Sequence, residues 1–151
     1  MEYLSLGRGF RHLPLYTKTT KTRGRKVKRT LPLFPGYVFA HLSSEERLSI
    51  LKTNLVVRTI NVFDPRTMIH QLRQVARVAR HADNLRIVNM FKAGDYVRVK
   101  YGPFSGTEGF VKRKGANATL CLNVEILGTA VEVSVPPGDV ETAKPSQHSQ
   151  G

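Results

Sequence analysis

Seven cations crowd into twelve residues of this chain: Lys18, Lys21, Arg23, Arg25, Lys26, Lys28 and Arg29. Thr19, Thr20 and Thr22 fill the front of the run, Gly24 sits in its middle, and only Val27 is apolar. The segment therefore reads as a solvated hairpin or mobile loop. Ammonium and guanidinium groups at this density suit phosphates, contacted along a backbone without reading bases. The bland alternative is a merely soluble surface loop. One-sided charge carries a self-repulsion cost that such a loop has no need to bear, which favours the phosphate reading.

Catalytic chemistry is much harder to find. The five histidines, His12, His41, His70, His81 and His148, fall on separate segments with no H-x-x-x-H pair and no carboxylate at metal spacing. His70 lies on a predicted helix, as a surface or boundary residue. No Gly-rich phosphate loop or nucleophile elbow occurs. The single cysteine, Cys121, excludes an internal disulfide framework and a Cys-based zinc cluster. Its place inside an apolar alternation predicts a buried, inert thiol. No catalytic, metal or cofactor residue is expected.

Charge divides the chain. Residues 1–83 carry 16 Lys/Arg against 5 Asp/Glu, a net of +11, whereas residues 90–142 carry 6 of each, a net of zero. A basic front and a neutral back suggest two modules with different partners, the front one meeting nucleic acid or a machine wrapped around it. No apolar run approaches a membrane span and no secretory signal opens the sequence, so a soluble, monomeric, cytoplasmic protein is expected.

The elements that would position these groups are legible in part. Residues 1–16 read as a helix end stopped by Gly7 and Gly9, then an edge strand that tolerates Pro14. Pro35 and Gly36 turn the chain before a strand over residues 37–42. There Val38, Ala40 and Leu42 alternate with Tyr37, Phe39 and His41. The aromatic side is either a docking surface or, with the other side, simply buried under helices. Ser43 with Glu46 is a capping box opening a helix whose buried stripe would be Leu48, Leu51 and Leu55. Residues 56–60 predict a β-branched strand. A helix follows over about 66–82, with Ile69, Leu72, Val75, Ala76 and Ala79 inward. Arg73, Arg77 and Arg80 line its other side, as a solvated face rather than a second contact. Residues 83–90 read as a linker. From Phe91 short alternating strands at 96–100, 108–112, 119–124 and 131–135, separated by Gly-containing turns, predict a small closed barrel over 91–141. Residues 142–151 form a polar, disordered tail.

Gly94-Asp95-Tyr96-Val97-Arg98-Val99 and Gly102-Pro103-Phe104-Ser105-Gly106-Thr107-Glu108-Gly109-Phe110-Val111 together resemble a KOW motif. In that motif Gly109 sits where a strand bends or meets another backbone closely. Paired with Pro32-Leu33-Phe34-Pro35-Gly36-Tyr37-Val38-Phe39 upstream, it resembles the NusG family of transcription factors from about Leu4 to Glu141. The front half looks closest to RfaH-like antiterminators, while the KOW half keeps the general pattern. The resemblance implies an α+β protein: a ferredoxin-like sandwich over 1–82, apparently lacking its first strand, and an SH3-like KOW barrel over 91–141. Family members begin with a strand and a full helix, so the true start is expected upstream of Met1.

Function follows from the same resemblance, as an elongation or antitermination factor that suppresses pausing or termination. Phe34, Pro35, Gly36, Tyr37 and Phe39 would meet the RNA polymerase clamp, and the seven cations would lie at DNA near the transcription bubble. Phe104, Ile126 and Leu127 would face a ribosomal protein or termination factor Rho. Leu127 and Thr129 depart from the commonly aromatic and basic residues there. The competing reading is a ribosome-associated KOW protein binding rRNA; the neutral charge of residues 90–142 speaks against it.

Overall fold

The computed structural model describes residues 10–82 and 85–145, so the expected helix end before Phe10 and most of the polar tail lie outside it. Four short strands open the chain. β1 (Phe10–His12) pairs antiparallel with β4 (Phe39–His41), Phe10 opposite His41. Between them β2 (Leu15–Thr22) and β3 (Arg25–Pro32) form a hairpin in which Thr22 faces Arg25. These are two separate two-stranded sheets, so the single sheet expected of a ferredoxin-like half is not assembled among the described residues.

Helix α1 (Ser44–Leu51) starts on the expected capping box: the Glu46 amide donates to Ser43 Oγ at 3.2 Å and the Ser43 amide to Glu46 Oε2 at 2.8 Å. Its expected stripe is not buried, however, and no α1 residue is. Residues 56–60 form no strand, and Val57 is 99 % exposed. β-branched residues favour a strand only where an edge stands beside them to complete the ladder, and among the described residues no layer over α1 defines an inner face.

Helix α2 (Pro65–Ala79) is capped by Asp64, whose carboxylate accepts from the Thr67 amide at 3.1 Å and the Thr67 hydroxyl at 2.6 Å, with Pro65 at the first helical position. Its buried side runs through Gln71, Leu72, Val75, Val78 and Ala79. That is rotated from the predicted stripe: Ile69 is exposed and Val78 is buried. Arg73, Arg77 and Arg80 are exposed, as a solvated face requires.

The back half is a six-stranded antiparallel sheet. Its strands are β5 (Arg86–Asn89), β6 (Asp95–Val99), β7 (Glu108–Lys114), β8 (Asn117–Val124), β9 (Thr129–Val135) and β10 (Val140–Thr142), in the spatial order β10-β6-β7-β8-β9-β5. Strands β6 to β9 fall where alternation places them. β5 lies within the stretch read as linker and pairs with β9, Ile87 opposite Val131. No ladder joins the outer strands β10 and β5, so the sheet is open where closure was expected. Phe91 is pinned to β8 by Asn123, whose carbonyl accepts from the Phe91 amide at 3.0 Å while its NH2 donates to the Phe91 carbonyl at 2.8 Å.

α2 packs on β8 and on β2, and its Leu72, Val75 and Val78 share one buried cluster with Phe34, Phe39 and the valines of the sheet. The helix encoded in the basic half is thus a wall of the neutral half's core.

Candidate nucleic-acid and protein interface

The hairpin carries the charge outward. Arg23, at φ 49°, and Gly24, at φ 77°, both take left-handed backbone at its tip. Two successive positive φ values are the type I′ pattern, whose twist matches that of the flanking strands. Glycine adopts it freely; an arginine there costs about 1–2 kcal/mol. All seven cations are exposed, and no Asp or Glu occurs between Glu2 and Glu45. Register sets Lys18 opposite Arg29 and Lys21 opposite Lys26. Like charges directly across a ladder repel, and among the described residues no carboxylate pairs with any of the seven. Seven cations are thus crowded on one hairpin, and no carboxylate among the described residues pairs with them.

At the base of this hairpin the chain turns sharply. The Leu33 amide donates to the Pro14 carbonyl at 2.8 Å, extending the pairing, and the Tyr37 amide donates to the Phe34 carbonyl at 3.1 Å. The latter closes a turn with Pro35 second and Gly36, at φ 85°, third, the pattern of a type II turn. Only a residue that tolerates positive φ fits the third place, which Gly36 does. The five residues assigned to polymerase docking divide here. Phe34 and Phe39, 4 % and 8 % exposed, point into the core, their rings edge-to-face with centroids 6.3 Å apart. Pro35, Gly36 and Tyr37 are exposed, and Val38 beside them is 65 % exposed. The strand is therefore turned over relative to its alternation. Phe39 goes in while Val38 and Ala40 face out, because Phe39 stacks on Phe34 beneath the turn. Downstream, Leu48, Leu55, Val57 and Phe63 are exposed, and Arg47 Nη2 donates to Thr59 Oγ1 at 2.8 Å to hold α1 beside this stretch.

In the back half, Phe104, Ile126 and Leu127 are each half-buried against the common core. Phe104 lies on a tight loop, where the Ser105 amide donates to the Gly102 carbonyl and the Thr107 amide to that of Phe104. Ile126 and Leu127 lie in a short 3-10 turn (Glu125–Leu127) ended by Gly128 in left-handed backbone. Two residues that pattern reading missed bind these loops to α2. Gln71 Oε1 accepts from the Glu125 amide at 2.9 Å, and Gln74 Oε1 from the Glu108 amide at 3.2 Å. The usable signal is a pair of amides three apart on an otherwise apolar helix face, where each can satisfy a strand-end N–H.

Two carboxylates of the sheet, Glu108 and Glu132, are paired within it. Glu108 accepts from Arg98, through Nε at 2.7 Å, and Arg98 is held above its ordinary value by that bond. Lys112 bonds Glu132 and covers the Phe91 ring at 4.3 Å. Cys121 is buried beside Glu132, and burial pushes its thiol up to about 11. That is the inert thiol expected. His41 and His81 are exposed and His70 is half-buried; among the described residues no three His, Cys, Asp or Glu side chains gather as a metal site. His148 lies outside the described residues. Among the described residues no helix is long and apolar enough to cross a membrane.

Comparison with known proteins finds a family match. The model of the NusG family, described as transcription termination factor nusG, matches residues 11–85. That span runs from β1 through α2 and includes the hairpin and the exposed turn. Comparison with curated proteins finds no match to the chain.

Proposed function

With residues 11–85 a NusG-family domain, and the chain on that ground a transcription factor of the NusG family, we propose that it is an elongation and antitermination factor that docks on the RNA polymerase clamp. The docking element is the turn at residues 34–37, where Tyr37 and the adjoining Val38 are exposed on a bed formed by buried Phe34 and Phe39. The seven hairpin cations then meet the DNA backbone near the transcription bubble, and residues 91–141 act as the KOW module. Phe104, Ile126 and Leu127 recruit a ribosomal protein or Rho. Suppression of pausing in this scheme is work done by binding energy and needs no catalytic group or cofactor. The factor acts in the cytoplasm as a monomer.

The observation that carries this reading is the unneutralised hairpin inside the family-matched span. An rRNA-binding KOW protein would instead concentrate cations on the sheet, whereas residues 90–142 carry as many carboxylates as cations. A pull-down of core RNA polymerase tests it, comparing the wild-type chain with Tyr37→Ala/Val38→Ser. Both replaced side chains are exposed, so folding is retained. Wild type should capture polymerase and the double variant should lose most of it. Equal capture by both would reject the turn as the docking element, and capture of ribosomes alone would reject the transcription reading.

A further inference from the structure

The two faces of the hairpin carry different kinds of cation. Side chains alternate between the two faces of a strand, and directly opposed residues share a face. The register places Lys18 with Arg29, Thr20 with Val27 and Thr22 with Arg25 on one face. It places Thr17 with Thr30, Thr19 with Lys28 and Lys21 with Lys26 on the other. One face thus carries both strand arginines and Lys18 around a Thr–Val pair; the other carries three lysines and three threonines. Arg23 sits at the tip in left-handed backbone.

We propose that this ribbon enters the major groove of B-form duplex DNA, its arginine face toward the base edges and its lysines toward the phosphates of the two rims. The inference rests on the DNA contact proposed above and adds the form of nucleic acid, the groove and the division of labour. A two-stranded ribbon fits the major groove, about 12 Å wide. The planar guanidinium donates two parallel hydrogen bonds to guanine O6 and N7, which an ammonium cannot match; a lysine is instead a point charge on a long stem, suited to phosphate. Arg25 and Arg29, four residues apart on one strand, are separated by about 13 Å, close to four base-pair steps of about 3.4 Å each. The Thr20 and Val27 methyls between them can meet thymine methyls. A-form RNA is excluded as the partner by its deep, narrow major groove. The cross-strand repulsion within the hairpin is relieved when phosphates surround it.

The full chain is titrated, by fluorescence anisotropy over a range of salt, with three duplexes of one sequence: B-DNA, the same DNA with 7-deazaguanine for guanine, and RNA. Removing N7 should weaken wild-type binding about fivefold or more, as expected when good bidentate pairs with guanine are broken, and RNA should bind more weakly than DNA. In Arg25→Lys/Arg29→Lys, which keeps the charge, the 7-deazaguanine penalty should shrink. In Lys21→Gln/Lys26→Gln/Lys28→Gln the penalty should persist while the slope of log K against log salt falls by about 0.9 for each phosphate that is no longer neutralised. Insensitivity to 7-deazaguanine, with equal affinity for RNA, would overturn groove entry and leave the backbone contact standing. Failure to bind any duplex at low salt would overturn groove entry and the DNA contact together.

Discussion

Replacing Val75 by alanine tests whether the two halves of this protein share one core. Val75 is fully buried on α2, the helix of the basic half, yet its cluster includes the sheet valines and Phe34 and Phe39 under the turn. The substitution removes two methyl-sized groups from a site walled by β8 and β2, neither of which can move inward without breaking its own ladder. The cost should be about 2 kcal/mol, combining the forfeited burial with the cavity left behind. For a chain of 151 residues that lowers Tm by roughly 4–8 °C. Location is more telling than magnitude. Hydrogen exchange under native conditions should show reduced protection in α2, in β8 and at the hairpin base (Tyr16, Leu31), all by the same free energy, because opening one wall opens the rest. A single cooperative denaturant transition should persist. If α2 loses protection while β8 and β7 keep theirs, or if unfolding separates into two transitions, the helix is only resting on the sheet and the shared core is refuted.

Two further outcomes follow from the sheet. A Cβ at Gly109 would lie 2.5 Å from the Cys121 carbonyl oxygen and 3.0 Å from Leu122 Cδ2; Gly109→Ala should therefore lower the urea midpoint by the equivalent of about 2–3 kcal/mol with an unchanged m value, and a neutral result would mean that β7 and β8 are not in this close approach. The Cys121 thiol is pushed up, chiefly by burial, to about 11 from an ordinary 9.0. The folded state then holds its proton more tightly than the unfolded one, so this contribution to stability is whole below pH 9 and is lost as pH rises toward 11. Cys121→Ala should flatten the fall in stability across that window, and an unchanged slope would refute the burial argument.

What could be read from residues alone, and what could not, separates along one physical line. Features set by neighbours in sequence were legible. The capping box at Ser43 and Glu46, the turn at Pro35-Gly36, the close approach at Gly109 and strands β6 to β9 each depend on a short pattern of side chains and backbone freedom. The hairpin belongs with them in part: its charge density marked it as a solvated hairpin or mobile loop, and the structure adds the turn at Arg23-Gly24. What failed was whatever needs a partner distant in sequence. Residues 56–60 have strand propensity but no adjacent edge. Arg86–Asn89 looks like linker yet pairs, because β9 presents an edge beside it. The phase of α2 was displaced by polar residues: Gln71 and Thr67 are buried through hydrogen bonds, to the Glu125 amide and the Asp64 carboxylate, which apolar periodicity cannot register. The same limit applies to the docking residues. A run such as Phe34-Pro35-Gly36-Tyr37 names the element, but only the fold separates the ring that holds the turn from the ring that stands outside it. Mutations at Phe34 would report on packing, and those at Tyr37 on the docking proposed above. The cations of the hairpin escape this ambiguity because all seven are exposed. The hairpin's two faces follow from register alone, so its chemistry is open to test on the intact chain without disturbing the core that α2 ties together.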